Sequence, residues 1–277
     1  MLALPRPVQR QRYALSLLAL ALSAASLPVF AGACDMAGSP FWPPGVPAPN
    51  DPYGNGAASL ACGSNALAEG SYATAIGTEA IANGLAALAL GNSSNAEGAR
   101  SISVGTDSNA YSDGSIAVGF LGYAEGANTT AVGRQARATS ENASALGSFA
   151  EANGIGSTAV GYISHAAGQY STALGQFARA MTDSATAVGA GAYAEGGFTT
   201  ALGTQSSATG TWATAVGQSA RAGEHSTALG RDAKAEFAES VAVGVGTRTL
   251  GINATPVGAN AEASAAAPAV GGRAGKS

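Results

Sequence analysis

The sequence predicts an all-β solenoid of about 15 coils, each of about fourteen residues. Three observations carry this expectation. A glycine closes an Ala-aliphatic-Gly triplet, or a close variant, at a nearly constant interval along most of the chain. Between these glycines lie two short runs with period-2 alternation, each bounded by residues that make turns. The composition is small and weakly charged: 39 glycines in 277 residues, 11% charged and 6% aromatic. A chain so poor in large side chains cannot bury the apolar area of a conventional core. It must instead gain stability from close backbone packing and hydrogen-bonded ladders, which repeat architectures supply.

The repeat glycines are Gly63, Gly77, Gly91, Gly105, Gly119, Gly133, Gly147, Gly161, Gly175, Gly189, Gly203, Gly217, Gly230, Gly244 and Gly258, with Gly271 continuing the series. All intervals are 14 residues except 217 to 230 and 258 to 271, which are 13. One unit runs from Gln176 to Gly189. Its first alternating run is Phe177 to Met181 and its second is Ala185 to Val188. Two strands of about five residues with two tight turns account for the period. A helix is excluded, since glycine at every such position would cost about 1 kcal/mol relative to alanine.

Charge placement orients the strands. Units are numbered from the residue after each closing glycine. Between residues 64 and 258 no Asp, Glu, Lys or Arg occupies positions 3, 5 or 10 to 14. Arg137, Arg179, Arg221, Lys234 and Arg248 all occupy position 4, and Glu69, Glu97, Glu125 and Glu195 all occupy position 6. Positions 3 and 5 therefore point inward, position 4 points outward, and positions 6 to 9 form an exposed turn. The second strand excludes charge on both faces, so both faces are expected to be covered. One packs on its own coil and the other on another subunit about a symmetry axis. The alternation does not choose between the two faces.

The ends of the chain read differently. Arg6, Arg10 and Arg12 precede an apolar run from Tyr13 to Leu27, then Ala31-Gly32-Ala33. This is the pattern of a secretory signal over residues 1–33, too short to span a bilayer. Residues 34–60 are rich in proline and read as a leader or cap. Residues 61–271 carry the repeats, and 272–277 read as a flexible tail. Without the three leader arginines, the 13 Lys and Arg fall to ten against 17 Asp and Glu, a formal charge of −7. Such a surface disfavours nucleic acid and anionic membranes. Cys34 and Cys62 are the two cysteines. They fit one disulfide of an exported protein, a pair of unrelated thiols, or, for Cys34, a lipid attachment site.

Nothing in the sequence calls for catalysis, a metal or a cofactor. His165 and His225 are the two histidines, both at variable positions, and no His/Cys cluster accompanies them. Candidate ligand contacts are the position-4 cations Arg137, Arg179, Arg221 and Lys234 and the aromatics Tyr170, Phe177, Tyr193 and Trp212. Arginine and aromatics are the residue types enriched at binding hot spots. A second possibility is a ladder of threonines. Thr130, Thr158, Thr172, Thr186, Thr200, Thr214 and Thr227 share one repeat position and would stack at ~4.8 Å. Such a ladder, if exposed, could bind ice or another ordered surface.

Glu239-Ser240-Val241-Ala242-Val243-Gly244 and Gly114-Ser115-Ile116-Ala117-Val118-Gly119 resemble the Asn-Ser-Val-Ala-Ile-Gly motif of YadA-like heads in trimeric autotransporter adhesins. The resemblance recurs in register over about residues 57–271. It implies a left-handed parallel β-roll and a homotrimeric head. It also implies a cell-surface or secreted location, with outer-membrane association, and attachment to host cells or extracellular matrix such as collagen. The family normally continues into a coiled-coil stalk and a β-barrel anchor. No sustained heptads or terminal amphipathic strands follow the repeats here, so no transmembrane anchor of its own is expected.

Overall fold

The computed structural model describes residues 34–36, 53–266 and 268–271. The expected signal segment, most of the proline-rich leader and the tail lie outside these residues. Among the described residues every regular element is a strand, and no helix is long and apolar enough to cross a membrane.

Each coil contributes one two-residue and one three-residue strand. In the unit from Gln176 to Gly189 these are Arg179–Ala180 and Thr186–Val188. The shorter strands build a 16-stranded sheet and the longer ones a 17-stranded sheet. Neighbouring coils pair in parallel and in register, as in Thr172↔Thr186, Ala173↔Ala187 and Leu174↔Val188. The turns are laddered as well: the Phe177 N–H donates to the Tyr162 carbonyl at 2.9 Å and the Ser184 N–H to the Gln169 carbonyl at 2.8 Å. Each coil thus meets the backbone hydrogen-bonding needs of the next, which a chain without a large core requires. The structure is a β-solenoid of about 15 turns.

The core lies between the two sheets and is built from positions 3, 5, 10 and 12. In this unit they are Ala178, Ala180, Ala185 and Ala187, all fully buried. On several coils where serine or threonine replaces alanine at position 10, its hydroxyl donates to the carbonyl three residues earlier, as in Ser171 to Gly168 at 2.7 Å and Thr199 to Gly196 at 2.6 Å. The sheets are so close that threonine and proline are the largest fully buried side chains. This resolves the orientation of the second strand: alanine at position 12 points inward, and threonine at 11 with valine or leucine at 13 point outward.

The strands are shorter than the alternation suggests. Phe177, expected to start a strand, has a φ of 58° and belongs to a turn. Non-glycine residues at positions 2 and 9 adopt this left-handed conformation throughout, which breaks the strand before position 4 and after position 5. The closing glycines from Gly63 to Gly258 have φ between 126° and 139°. The shortened coil from 218 to 230 loses its residue from the turn around Gly223 and His225. Both registers survive, as Thr214↔Thr227 and Arg221↔Lys234.

The N-terminal edge is finished differently. Strand β1 (Cys34–Met36) lies antiparallel to β3 (Leu60–Cys62), with Cys34 opposite Cys62. The two sulfurs are bonded across 28 residues of sequence. Strand β2 (Tyr53–Gly54) already pairs in parallel with Leu67–Ala68, so the short-strand ladder includes it.

Candidate binding surfaces

The solenoid presents four long surfaces: the outer face of each sheet and the two columns of turns. Each has its own chemistry, because residues fourteen apart stack in columns ~4.8 Å apart.

The outer face of the 17-stranded sheet carries mostly threonine at position 11, with aliphatic residues or serine on the remaining coils such as Leu88, Ile102, Ile116 and Ser144, and mostly valine, leucine or isoleucine at position 13. The threonine ladder therefore lies on the outside of this chain, beside an aliphatic ladder. Leu202 is 44% exposed and Leu90 41%. The two columns hold no charge from Leu60 to Val257. Over about 15 coils they make an uncharged strip roughly 70 Å long. Soluble monomers rarely expose an apolar patch of that extent.

The outer face of the 16-stranded sheet carries position 4. Tyr123, Arg137, Glu151, His165, Arg179 and Tyr193 follow one another there on consecutive coils. The Arg137 guanidinium lies 4.8 Å from the centre of the Tyr123 ring, and that of Arg179 lies 5.9 Å from Tyr193. His165 Nε2 is 3.8 Å from the Glu151 carboxylate. Arg221 faces Glu236 at 3.7 Å, an exposed pair of little energetic weight. Burial pushes the Tyr123 and Tyr193 hydroxyls above the ordinary tyrosine range, and the neighbouring Glu125 and Glu195 carboxylates add to this.

One turn column borders this face. Phe149, Tyr162 and Phe177 form an edge-to-face ladder with centroids 6.1 and 5.6 Å apart. The Arg134 guanidinium closes its N-terminal end, 5.0 Å from the Phe149 ring. Between this aromatic wall and the charged column runs an open groove of about 570 Å³, floored by Glu151, His165 and Arg179. The opposite turn column, position 9, carries Tyr170 and a stacked pair, Phe198 and Trp212, with centroids 4.5 Å apart.

The structure thus divides the side chains expected to contact ligand. Arg137, Arg179, Tyr193, Arg221 and Lys234 share position 4 on one face, and Phe177 borders it. Tyr170 and Trp212 sit on the far edge. Tyr162 and Ile163 were not among the expected contacts, yet both line the groove. The signal that finds them is the adjacent placement of positions 1 and 2 with position 4, which depends on the turn geometry. Among the described residues no group of three or more His, Cys, Asp or Glu is placed to hold a metal ion.

The YadA head domain repeat model matches eight segments: 55–80, 82–108, 97–120, 124–150, 152–178, 183–206, 194–220 and 222–247. Together they span more than half of the chain. Among solved structures, the collagen-binding domain of the Yersinia adhesin YadA matches with 22% identity and a TM-score of 0.23, covering 58% of this chain and 68% of that one. No curated protein sequence matches. With a solenoid whose coil closes at each Ala-aliphatic-Gly triplet and a family model that follows those coils, this chain belongs to the YadA head domain repeat family.

Proposed function

We propose that this chain is the head of an exported, homotrimeric adhesin that attaches a cell surface to host cells or extracellular matrix, with collagen-like proteins among its ligands. The observation that carries the reading is the uncharged strip on the 17-stranded sheet. Its half-exposed aliphatic column needs a cover along its whole length, and the same strip of two further copies supplies one by closed symmetry. Burying it leaves the cationic and aromatic face pointing away from the assembly, free for ligands. Membership of the YadA head family supports an adhesin-like role, and the reading includes no catalytic step. The signal pattern in residues 1–33 supports export.

The test is binding of purified residues 34–277 to a panel of immobilised matrix proteins that includes collagen. Saturable binding to at least one is expected. No binding to any, by a chain shown to be folded and oligomeric, overturns the adhesin assignment.

The outward threonine column favours a second reading, an exported solenoid that binds ice or another ordered surface as a monomer. The aliphatic column beside it argues for the oligomer, because leaving it in water forfeits about 25 cal/mol per Å². Thermal hysteresis from a monomeric chain would choose the second reading.

A further inference from the structure

The groove beside the aromatic ladder has a period that selects its occupant. Phe149 and Phe177 occupy position 2 on coils two apart, and Glu151 and Arg179 occupy position 4 on the same two coils. The spacing of both pairs is therefore about 9.5 Å along the rod. A polyproline-II helix rises ~3.1 Å per residue with three residues per turn, which is ~9.3 Å per turn. An extended β-strand repeats every ~6.7 Å and an α-helix every 5.4 Å, and neither matches one coil or two.

The lining agrees with the period. Tyr162 is 45% exposed and Phe177 46%, and their edge-to-face packing makes a ridged apolar wall rather than a flat platform. Aromatic-lined grooves are the usual receptors for proline-rich segments, whose preformed helix loses little entropy on binding. The floor is charged with opposite signs one polyproline turn apart, Glu151 at one end and Arg179 at the other, with His165 between them. We propose that this groove binds a single proline-rich peptide in the polyproline-II conformation, lying along the rod, with a basic residue at Glu151 and an acidic residue three positions away at Arg179. The inference rests on the adhesin reading only for the outward placement of this face in the assembly.

The probe is a fluorescent proline-rich octapeptide with Lys and Glu three positions apart, titrated against residues 34–277. Controls are the same peptide with the charges two positions apart, a triple-helical peptide and a soluble oligosaccharide. Saturable binding of the first peptide is expected, with roughly tenfold weaker binding of the misregistered one. The double variant Phe149→Asn, Phe177→Asn should also bind roughly tenfold more weakly. Asparagine tolerates the left-handed conformation at both sites, so the fold should survive. Arg179→Glu should turn the preference toward a peptide with two lysines three positions apart, an effect that mere misfolding would not produce. Equal binding of both charge spacings, indifference to the phenylalanine changes, or binding of the oligosaccharide or triple helix alone would overturn the proposal. Matrix binding that persists without peptide binding removes the groove and leaves the adhesin reading. Peptide binding without matrix binding does the reverse.

Discussion

Gly189 and Phe177 both sit at positive φ, and they differ in what a side chain would meet. At Gly189 φ is 130°, outside the region L-residues adopt, and a Cβ would fall 2.5 Å from the carbonyl oxygen of Gly203 in the next coil. That neighbour is backbone held in the ladder and cannot swing away. Gly189→Ala should therefore destabilise by about 1–3 kcal/mol from the backbone alone, with the clash adding to it. Phe177 has a φ of 58°, which an L-residue reaches at a cost of about 1–2 kcal/mol. Phe177→Asn should leave stability unchanged or raise it by up to about 1 kcal/mol, even as it strips the groove. Equilibrium urea unfolding of both variants checks the pair. A glycine variant as stable as the parent would show that the turns can rearrange.

A single coil is a thin element. Four small inward residues, mostly alanine, separate its two strands, and each coil touches only the coils before and after it. Stability then resides in interfaces between coils rather than in one central core. The two faces of one strand should respond in opposite ways to added volume. Ala187 is fully buried between closely spaced sheets, so Ala187→Leu should overpack the coil and cost about 1–3 kcal/mol or more. Val188→Leu, one residue on, should be near neutral, since Leu174 and Leu202 already occupy that column on the adjacent coils. Chemical denaturation separates the two. Equal penalties at 187 and 188 would contradict the assignment of position 12 to the core and 13 to the surface.

At the scale of the whole molecule the strip on the 17-stranded sheet and the N-terminal clip matter most. The strip's charge-free columns run unbroken across the coils, so its cover must be equally long, which another copy of the chain can be. In solution residues 34–277 should form a trimer. Leu174→Asp with Val188→Asp would bury two carboxylates in the subunit interface without partners and should dissociate it. Multi-angle light scattering reads the mass of both proteins. A folded monomer for the parent would leave the strip in water and bring the threonine ladder forward as the functional face. At the N-terminal end, β1 lies antiparallel on β3, and the Cys34–Cys62 bond holds it there. An edge strand left open is a template for another chain, and the bonded strand moves that edge onto a segment of only three residues.

The repeat period, the strand-turn alternation and the inward direction of positions 3 and 5 are all legible in the sequence, because each depends only on local residue order. Turn residues recur at fixed offsets, and charge is absent from the positions that water does not reach. The direction of the second strand is different. Its Ala-Thr-Ala-Val pattern is uncharged on both faces, so local order cannot choose between them. The gap between the two sheets makes the choice, since it fills with alanine, serine, threonine and proline and leaves the larger aliphatic residues of position 13 on the outside. The candidate site divides in the same way. Arg137, Arg179, Arg221 and Lys234 are found from their shared repeat position alone. The groove depends on Tyr162 packing between Phe149 and Phe177, and that contact joins positions 1 and 2 of different coils. Periodicity specifies which residues stack in a column. Only the turn, with its left-handed residues, decides which columns lie side by side.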